Sequence, residues 1–440
     1  MLVLNIPENE SFICRTVQNT KPNITKRKIM RVIKILPLVF AGIIIMGSSA
    51  FAKCGISGGS IRILANDFPA IHAVLSAAEK CAGGDVTFTK NTTKEHRTLV
   101  VAGLTANPAE FTSAVVANSS IVPLLNEGLI RPLNDLVAKH GRGLKKNQLI
   151  TINGKIMAVA FMANAQHLFY RKDILDKASV GIPKSYEEIL SAAKAIRAKG
   201  IMEYPFALNT KTGWNLGEEF INMYMGYKGQ LFKPGTAIAS VNNAKGVAAL
   251  KMIKSLTEYS NPDFLTFDSN ATAALWEAGK LGLATMWGTR GGTILDDKGS
   301  TSNITSNTVL ASAPTVAGGS TPATTLWWDG FTIAKNISDK DAEATFIAMM
   351  NGISTEMVKA NNNEAVWLIE GFVPGKASAG VFASASAGAT PYPMLPYAGL
   401  LHSALGSELT EFLQGNESAQ QALADVEAAY TASAKEKGFL

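Results

Sequence analysis

Segments with the patterns of β-strands and α-helices alternate three times between Ser60 and Glu127. The strands are predicted at Ser60–Ala65, Asp85–Thr89 and Phe111–Ala117, and the helices at Ala70–Cys81, Lys94–Leu104 and Ile121–Glu127. This alternation predicts an α/β fold with an open, largely parallel sheet, because a helix returns the chain before each new parallel strand. Ligands on such sheets bind beyond the carboxyl ends of the strands.

Four small polar residues follow the first and third of these strands, namely Asn66, Asp67, Asn118 and Ser119. Their position at the strand exits makes each of them a candidate ligand contact. A second interpretation suits Asp67 and Ser119 equally well, because both residue types commonly cap the N-terminus of a helix. The sequence leaves both interpretations open.

The N-terminal segment has the pattern of a secretory signal peptide. Basic residues at Lys26–Lys28 precede an apolar run over Ile35–Met46, and Ala50–Ala52 matches a cleavage signal that ends before Lys53. A membrane anchor is the alternative, but the run is shorter than the roughly 20 apolar residues of a spanning helix. Met30 is an alternative translation start. We therefore predict a cleaved leader and a periplasmic protein.

The formal net charge of the chain is +6, and most of it lies in the leader. Without residues 1–52, 34 basic residues stand against 33 acidic ones, a balance of +1. A nearly neutral protein attracts nucleic acid and anionic membranes only weakly, so neither is predicted as a partner. Cys54 and Cys81 form an even pair for an oxidising compartment, which favours a disulfide, with two free thiols as the alternative.

The roughly 390 residues after the leader exceed what one hydrophobic core supports, so two lobes are predicted. No long linker divides the chain, and each lobe is therefore expected to combine separate segments. Asn153-Gly154 predicts a hairpin turn. Helices predominate beyond Arg171, which marks the start of the second lobe.

No motif for catalysis or metal binding stands out along the chain. The five His residues are scattered, without a partner His or Cys at zinc spacing. The nucleophile elbow, the phosphate-binding loop and the dinucleotide fingerprint are missing as well. Asp329 and Glu370 can be nominated as the two carboxylates of a glycosidase, although no pattern indicates that they face each other. We predict no catalytic residue, no metal and no cofactor.

Two indoles and a carboxylate stand together in Trp327-Trp328-Asp329-Gly330, at the start of a β-prone run. Indole faces pack on the apolar face of a pyranose, and a carboxylate accepts hydrogen bonds from neighbouring hydroxyls. Core packing is the alternative, because Trp is mostly buried wherever it occurs. Successive strand residues point to opposite sides, so we expect Trp327 and Asp329 to face a cleft and Trp328 to pack behind them.

Further aromatic and basic residues stand near other predicted strand exits and loops. Trp214 and Trp287 have the chemistry to stack on a neutral polyhydroxylated ligand. Arg290 either binds a carboxylate of the ligand or pairs with an acid of its own lobe. Trp276 and Trp367 are each predicted within a helix and are expected in the core.

A series of motifs recurs in the order known from one family. The motifs are Asn153-Gly154-Lys155, Gln166 to Asp173, Pro183 to Glu188, Gly279 to Gly288, the Trp327 motif, and Tyr392 to Pro396 through Leu423. This series resembles the family 1 extracellular solute-binding proteins, the maltose-binding-protein-like receptors of sugar ABC transporters. The resemblance implies a two-lobed periplasmic-binding-protein fold of type II, with a sugar held in a central cleft between the lobes.

The resemblance also implies lobe boundaries and ligand contacts. It assigns residues 53–162 and about 329–375 to an N-terminal lobe, and residues 163–328 and about 376–440 to a C-terminal lobe. The chain is expected to cross between them near Asn164, at Trp328 to Gly330 and before Tyr392. The expected ligand contacts are Asn66, Asp67, Asn118, Ser119, Asn164, Gln166, Trp214, Trp287, Gly288, Arg290, Trp327 and Asp329.

The expected function is a monomeric periplasmic receptor of an ABC importer. It would capture a neutral mono- or oligosaccharide or a polyol by hinge closure and deliver it to the membrane permease. A different solute is the first alternative: Arg290 and Lys211 favour a sugar acid or glycerol phosphate, whereas Asp67 and Asp329 favour neutral or cationic groups such as a polyamine. A secreted carbohydrate-active enzyme, with Asp329 as acid or base, is the second.

Overall fold

The computed structural model describes residues 53–440. The predicted leader and its cleavage signal lie outside the described residues. Between residues 53 and 440, no helix is both long and apolar enough to cross a membrane.

Strands and helices alternate through most of this range. The strands are β1 (Gly59–Ala65), β2 (Val86–Thr92), β3 (Ser113–Ala117), β4 (Leu149–Ile152), β5 (Lys155–Asn164), β6 (Gln166–Arg171), β7 (Phe206–Ala207), β8 (Leu283–Trp287), β9 (Thr308–Ala311), β10 (Thr325–Ile333), β11 (Val366–Trp367) and β12 (Thr390–Pro391). The helices are α1 (Pro69–Glu79), α2 (His96–Thr105), α3 (Ile121–Asn126), α4 (Asn134–His140), α5 (Lys172–Ala178), α6 (Tyr186–Ala198), α7 (Trp214–Gly226), α8 (Ala244–Thr257), α9 (Ser269–Glu277), α10 (Gly291–Leu295), α11 (Ser302–Asn307), α12 (Asp339–Gly352), α13 (Thr355–Ala360), α14 (Ala379–Ser386), α15 (Ala398–Gln414) and α16 (Ala419–Glu436).

The larger sheet, here sheet I, has the strand order β11-β5-β10-β3-β1-β2, with β4 paired to β5 and β12 paired to β10. β1 pairs in parallel with β2 and β3, as the alternating pattern predicts. β10 runs antiparallel to β3 and β5, so the sheet is mixed, and the expectation of a largely parallel sheet is wrong for this half. β10 follows β9 of the smaller sheet along the chain. It is not joined to β3 or β5 by a β-α-β crossover, which would make it parallel to that strand.

The smaller sheet, sheet II, has the order β7-β8-β6-β9. β6 is antiparallel to both β8 and β9, and β7 is parallel to β8. The chain passes from β5 of sheet I to β6 of sheet II across Ala165 alone, and β10 brings it back. β12 then pairs with the first residues of β10 before α15 begins. Three neighbouring segments therefore connect the part of the protein around sheet I with the part around sheet II: Ala165, β10 and β12.

Side chains that alternate along the strands fill a core on both faces of each sheet. In β1, Ile63 points into a cluster with α1 and α12, while Leu64 points to the opposite face. In β6, Leu168 faces the helices α7, α8, α15 and α16, while Phe169 faces Trp276 on the other side. Successive strand residues point to opposite faces, so a sheet covered by helices on both sides requires apolar residues at successive positions.

Several helices begin at a side-chain cap that the local sequence supplies. The Ser185 hydroxyl accepts the Glu188 N–H at the start of α6, and the Asp268 carboxylate accepts the Asn270 and Ala271 N–H groups at the start of α9. Asp67 and Ser119 cap no helix, so the capping interpretation of these two residues is wrong.

The reasons differ between the two positions. At the first, α1 begins at Pro69, whose missing N–H needs no acceptor, and the Asp67 carboxylate contacts His72 Nε2 at 2.7 Å. At the second, the N-cap residue is Ser120, and its hydroxyl accepts the Ala117 N–H at 2.8 Å instead of a helical one.

Trp276 lies in α9 and is fully buried, as predicted, but the helix predicted around Trp367 is wrong. Trp367 lies in the two-residue strand β11, which pairs with the edge of β5. Its Nε1 donates to the Asn361 carbonyl at 2.8 Å. An open strand edge in the tertiary structure therefore decides the conformation of this segment, which local propensity does not reveal.

A disulfide joins Cys54 to Cys81, just beyond the end of α1, with the two Cα atoms 5.3 Å apart. It ties the first described residues to a helix that packs on sheet I. Within residues 53–440, no group of three or more His, Cys, Asp or Glu side chains is arranged to hold a metal ion.

Candidate functional site

A cavity of about 370 Å³ lies where the carboxyl ends of strands from both sheets meet. Its wall contains indoles, amides and side chains of both charges. The lining residues are Asn66, Phe68, Lys94, Glu95, Arg97, Thr98, Ala117, Asn164, Lys211, Thr212, Trp214, Asn215, Asp268, Ser269, Trp287, Thr289, Arg290, Trp327 and Asp329.

Seven of the twelve expected contacts line this cavity, namely Asn66, Asn164, Trp214, Trp287, Arg290, Trp327 and Asp329. The other five, Asp67, Asn118, Ser119, Gln166 and Gly288, do not. Whether any of the seven binds a solute stays a prediction.

Neighbouring protein atoms account for the position of most of the five. Asp67 turns its carboxylate to His72, and Gln166 is buried within β6. Gly288 has no room for a side chain, because a Cβ would lie 2.3 Å from Val381. The Ser119 hydroxyl is buried without a hydrogen-bond partner among residues 53–440.

Asn118 fastens the second crossing strand to the end of β3. Its Oδ1 accepts the Trp328 N–H at 2.8 Å, and its Nδ2 donates to the Leu326 carbonyl at 3.4 Å. The side chain is only 2% exposed. Asn118 thus uses its amide to hold β10, and this structural use of a strand-exit residue cannot be distinguished from ligand binding in the sequence.

Asn164 plays a similar part at the first crossing while still lining the cavity. Its Oδ1 accepts the N–H groups of Ala165 at 3.0 Å and Thr289 at 3.3 Å, and its Nδ2 donates to Thr289 Oγ1 at 3.3 Å. These bonds join the end of β5 to the 3₁₀ turn Gly288–Arg290 that follows β8. The wall of the cavity is therefore tied to the crossing segment itself.

Three indoles form one side of the cavity and pack against each other. The ring of Trp214 lies parallel to that of Trp287, with centroids 6.2 Å apart, and Trp327 meets both edge-on at 5.5 and 5.8 Å. The Arg97 guanidinium lies 4.1 Å from the centre of the Trp214 ring, and the His402 ring stacks on Trp214 with the two centroids 4.8 Å apart. The indoles thus form one packed wall of the cavity, with the Arg97 guanidinium and the His402 ring against Trp214.

A hydrogen-bond network behind this wall holds the rings in place. The Trp327 Nε1 donates to Glu218 Oε1 at 3.0 Å and to Thr325 Oγ1 at 2.8 Å. Since His402 Nε2 donates to the Trp214 carbonyl at 2.7 Å, its Nδ1 accepts the Tyr392 hydroxyl at 2.9 Å. Burial lowers the pKa of His402 to about 3, so this ring is neutral at physiological pH.

The Trp327 motif lies in β10 with its side chains on alternate sides. Trp327 and Asp329 line the cavity, whereas Trp328 packs in the core cluster on the Leu64 side of sheet I. The pairing of β10 with β5 shifts register between Asp329 and Gly330. A Cβ at residue 330 would lie 2.5 Å from the Val159 carbonyl oxygen, so only glycine fits this close approach of two backbones.

The Asp329 carboxylate accepts no hydrogen bond from the described part of the protein. Arg97 is the charged residue that acts on its pKa. Burial raises the pKa of Asp329 to about 7, against the opposing influence of Arg97. No ion pair within 4.0 Å joins the two among residues 53–440. A carboxyl group that titrates near neutral pH and a guanidinium therefore face the same cavity without a hydrogen bond between them.

Lys94 and Arg97, beside the start of α2, are cavity residues that the sequence analysis missed, and Phe68 and Ser269 are two more. Lys94 and Arg97 follow the carboxyl end of β2, which lies next to β1 in sheet I. The rule that ligands bind beyond strand ends applies to this exit too, and it would have found them. Glu370, nominated with Asp329 as a catalytic pair, lines a separate groove beside His140, so that pairing is wrong.

A family model described as bacterial extracellular solute-binding protein matches residues 65–353, which is more than half of the chain. The chain belongs to this family. Among curated relatives of the solute-binding protein, a binding protein of Brucella abortus (strain 2308) is 22% identical over 186 residues, or 39% of this chain and 42% of the relative. An ABC transporter-binding protein of Deinococcus radiodurans is 28% identical over 146 residues, or 31% and 34% of the two chains. The matched region thus spans less than half the length of these relatives.

Solved structures resemble the solute-binding protein over nearly their whole length. One from Agrobacterium radiobacter K84, in complex with ribitol, has a TM-score of 0.75 at 18% identity, with 86% of this chain and 99% of that chain covered. One from Agrobacterium vitis S4, with bound D-mannitol, has a TM-score of 0.72 at 18% identity, with 87% and 100% covered. A maltose-bound protein of T. maritima has a TM-score of 0.71 at 17% identity, with 86% and 100% covered. The fold is therefore the two-lobed, maltose-binding-protein-like fold expected from the sequence.

Proposed function

We propose that the protein captures a polyhydroxylated solute, a sugar or a polyol, and delivers it to the permease of an ABC importer. One observation carries this proposal: Asp329 and Arg97 face one cavity, beside packed indoles, without hydrogen bonds to each other. A hydroxyl group donates to a carboxylate and accepts from a guanidinium, so neighbouring hydroxyls of one solute satisfy both residues. The ribitol, mannitol and maltose named for the structural neighbours support this class of solute.

The size of the cavity favours a small solute. A volume of 370 Å³ corresponds to roughly twelve water molecules at about 30 Å³ each. It lies near the lower end of the range for small-molecule sites, about 300 to 1,000 Å³. A single sugar ring or an open-chain polyol of five or six carbons matches this space better than a long oligosaccharide does.

Residues from both sheets line the cavity, which suits capture by hinge closure. We infer two lobes, built around sheet I and sheet II and bounded as the sequence resemblance implies, that hinge at the segments near Asn164, Trp328 and Tyr392. Arg97 comes from the sheet I side and Trp214 from the sheet II side, so their contact is formed only when the two sides approach. A solute that contacts both sides favours this closed form, because only differential affinity shifts such an equilibrium.

Periplasmic location, a monomeric state and the absence of catalysis complete the proposal. The family supports a location outside the cytoplasm, and its receptor role supports binding without bond cleavage. The expectation that the solute is neutral rests on the sequence alone. The charged side chains that line the cavity provide a separate criterion for the charge of the solute.

A thermal-shift screen with the protein from Lys53 onward tests the proposal. Sugars, polyols and their acids are compared, and a solute at 100 times its dissociation constant should stabilise the protein by about 2.7 kcal/mol. At pH 8, where the carboxylate is largely ionised, Asp329→Asn should weaken binding of the best solute by tenfold or more, because a charged acceptor is lost. Trp328→Phe is the matched control, since Trp328 lies on the same strand and does not line the cavity. A screen without any stabilising sugar, polyol or sugar acid would contradict the proposal, and cleavage of an oligosaccharide would show an enzyme.

A further inference from the structure

Lys94 and Arg290 are two cations of the cavity wall without a paired carboxylate in the described part of the chain, although Lys94 Nζ donates to the Asp67 carbonyl. Lys94 precedes α2 on the sheet I side, and Arg290 ends the 3₁₀ turn after β8 of sheet II. Among residues 53–440, no carboxylate oxygen lies within 4.0 Å of a side-chain nitrogen of either residue. Partial burial of the ammonium group lowers the pKa of Lys94 to about 8, and the positive charge of Arg290 is the second cause. The two cations therefore act on each other across the cavity.

Arg290 is buried with part of its hydrogen-bonding capacity unused. It is 5% exposed, and its Nη2 donates to the neutral acceptors Ser269 Oγ at 2.9 Å and Asn270 Oδ1 at 2.8 Å. Its Nε and Nη1 have no partner in the described part of the protein. Burying a cation with unpaired donors costs free energy, and a bound anion offsets that cost. The position of Arg290 in the cavity wall makes the solute the source of such an anion.

Two carboxylates that act electrostatically on both cations, those of Asp67 and Asp268, have other partners. Asp268 Oδ1 accepts two N–H groups at the start of α9, and its Oδ2 lies 3.8 Å from Lys211 Nζ. The Asp67 carboxylate contacts His72 and does not line the cavity. Glu95 lies exposed in the wall, beyond 4.0 Å from either cation. Asp67 and Asp268 thus influence both cations from a distance, but within residues 53–440 neither forms an ion pair with Lys94 or Arg290.

We propose that Lys94 and Arg290 bind the carboxylate of a sugar acid, so that the transported solute is a monoanionic polyhydroxy acid. This inference rests on the proposed function and names the class of solute for the same cavity. The wall carries four basic side chains, Lys94, Arg97, Lys211 and Arg290, against three acidic ones, Glu95, Asp268 and Asp329. One carboxylate neutralises the formal charge of +1 that remains when all seven side chains are ionised, and protonation of Asp329, whose pKa burial raises to about 7, makes the wall more positive.

Calorimetry with matched pairs of solutes tests this inference. The pairs are ribitol with ribonate, mannitol with mannonate, glucose with glucuronate and galactose with galacturonate, and glucose 6-phosphate is added as a phosphate probe. In the pair with the stereochemistry that fits, the acid should bind at least about tenfold more tightly than its neutral counterpart, because charge-assisted hydrogen bonds are the stronger ones. The preference should shrink as salt concentration rises.

Variants connect the preference to the two residues. Lys94→Gln and Arg290→Gln should each lower the ratio of acid to neutral affinity by about tenfold. Lys90→Gln, which removes an exposed lysine paired with Glu79 outside the cavity, should leave the ratio unchanged. Because Arg290 is buried, thermal melting without solute first verifies that its variant is folded. Lys94 is less buried than Arg290, and its variant provides a test that does not depend on the Arg290 variant.

The outcomes separate this inference from the proposed function. If a neutral sugar or polyol binds as tightly as its acid, the sugar-acid inference is overturned and the receptor function stands. A preference for glucose 6-phosphate over every carboxylate overturns the inference as well. If no member of any pair binds, the proposed function itself fails.

Discussion

Replacing Glu218 by Gln should make the stability of the protein less sensitive to pH. Glu218 is fully buried on α7, and its Oε1 accepts hydrogen bonds from Trp327 Nε1 at 3.0 Å and Thr325 Oγ1 at 2.7 Å. Burial raises the pKa of Glu218 from 4.5 to about 8, although both hydrogen bonds oppose the shift. A glutamine keeps an acceptor oxygen for both donors and has no proton to lose.

The direction follows from the protons bound in each state. Below pH 4.5 the carboxyl group is protonated in both the folded and the unfolded protein. Its contribution to the free energy of unfolding is therefore independent of pH there. Between pH 4.5 and about 8 the unfolded state releases the proton while the folded state keeps it, so the free energy of unfolding falls as pH rises. At about 1.4 kcal/mol per pKa unit, the loss is below about 1 kcal/mol at pH 5 and about 3 kcal/mol at pH 7.

Urea denaturation at pH 5, 6 and 7, extrapolated to water, measures this difference. Relative to the parent protein, the free energy of unfolding of Glu218→Gln should increase by about 2 kcal/mol between pH 5 and pH 7. Other groups that titrate in this range, such as buried His402, contribute to both proteins and cancel in the comparison. Glu356→Gln, at an exposed position, is the control. Parallel pH profiles for the parent and Glu218→Gln would refute the assignment of a buried neutral acid behind Trp327.

Three further changes test the crossing strand, the disulfide and the aromatic wall. Gly330→Ala should lower the free energy of unfolding by about 1 to 3 kcal/mol, since the added Cβ meets the Val159 carbonyl oxygen at 2.5 Å; an unchanged urea midpoint would count against that contact. Cys81→Ser should cost about 3 to 4 kcal/mol in the same assay, because the bridge to Cys54 closes a loop across 27 residues, and a reductant should then have no further effect. Trp287→Ala should weaken solute binding tenfold or more by calorimetry while circular dichroism stays unchanged, and retained affinity would remove Trp287 from the site.

Local patterns in the sequence were enough to predict the alternating strands and helices of the first part of the chain. The β1-α1 and β3-α3 units lie within a few residues of their predicted positions, and Asn153 and Gly154 form the predicted turn with φ of 50° and 76°. These features depend on residues close together in the chain, and period-two or helical periodicity reveals them. The antiparallel course of β10 and the strand at Trp367 depend on partners far away in the sequence, and there local reasoning failed.

Prediction of the site shows the same division. Strand exits led to Asn66 and Asn164, and strand parity led to Trp327 and Asp329, all of which line the cavity. Asn118 satisfied the same rule, but its amide holds the backbone of β10. Amide groups serve a ligand and a neighbouring strand with the same hydrogen bonds, so residue type could not separate these roles.

The sequence by itself determined the class of the protein: an α/β chain with alternating units and the ordered motifs of one family. Periodicity and turn chemistry are properties of neighbouring residues, and the chain carries them wherever it folds. Only the tertiary structure decided which side chains share the cavity and which charges remain unpaired there. Arg97 lies over the ring of Trp214, which is more than a hundred residues away in the chain. Arg290 keeps two side-chain nitrogens without a hydrogen-bond partner among residues 53–440. Distance and burial set the strength of such interactions, and neither is encoded in the local pattern of residues.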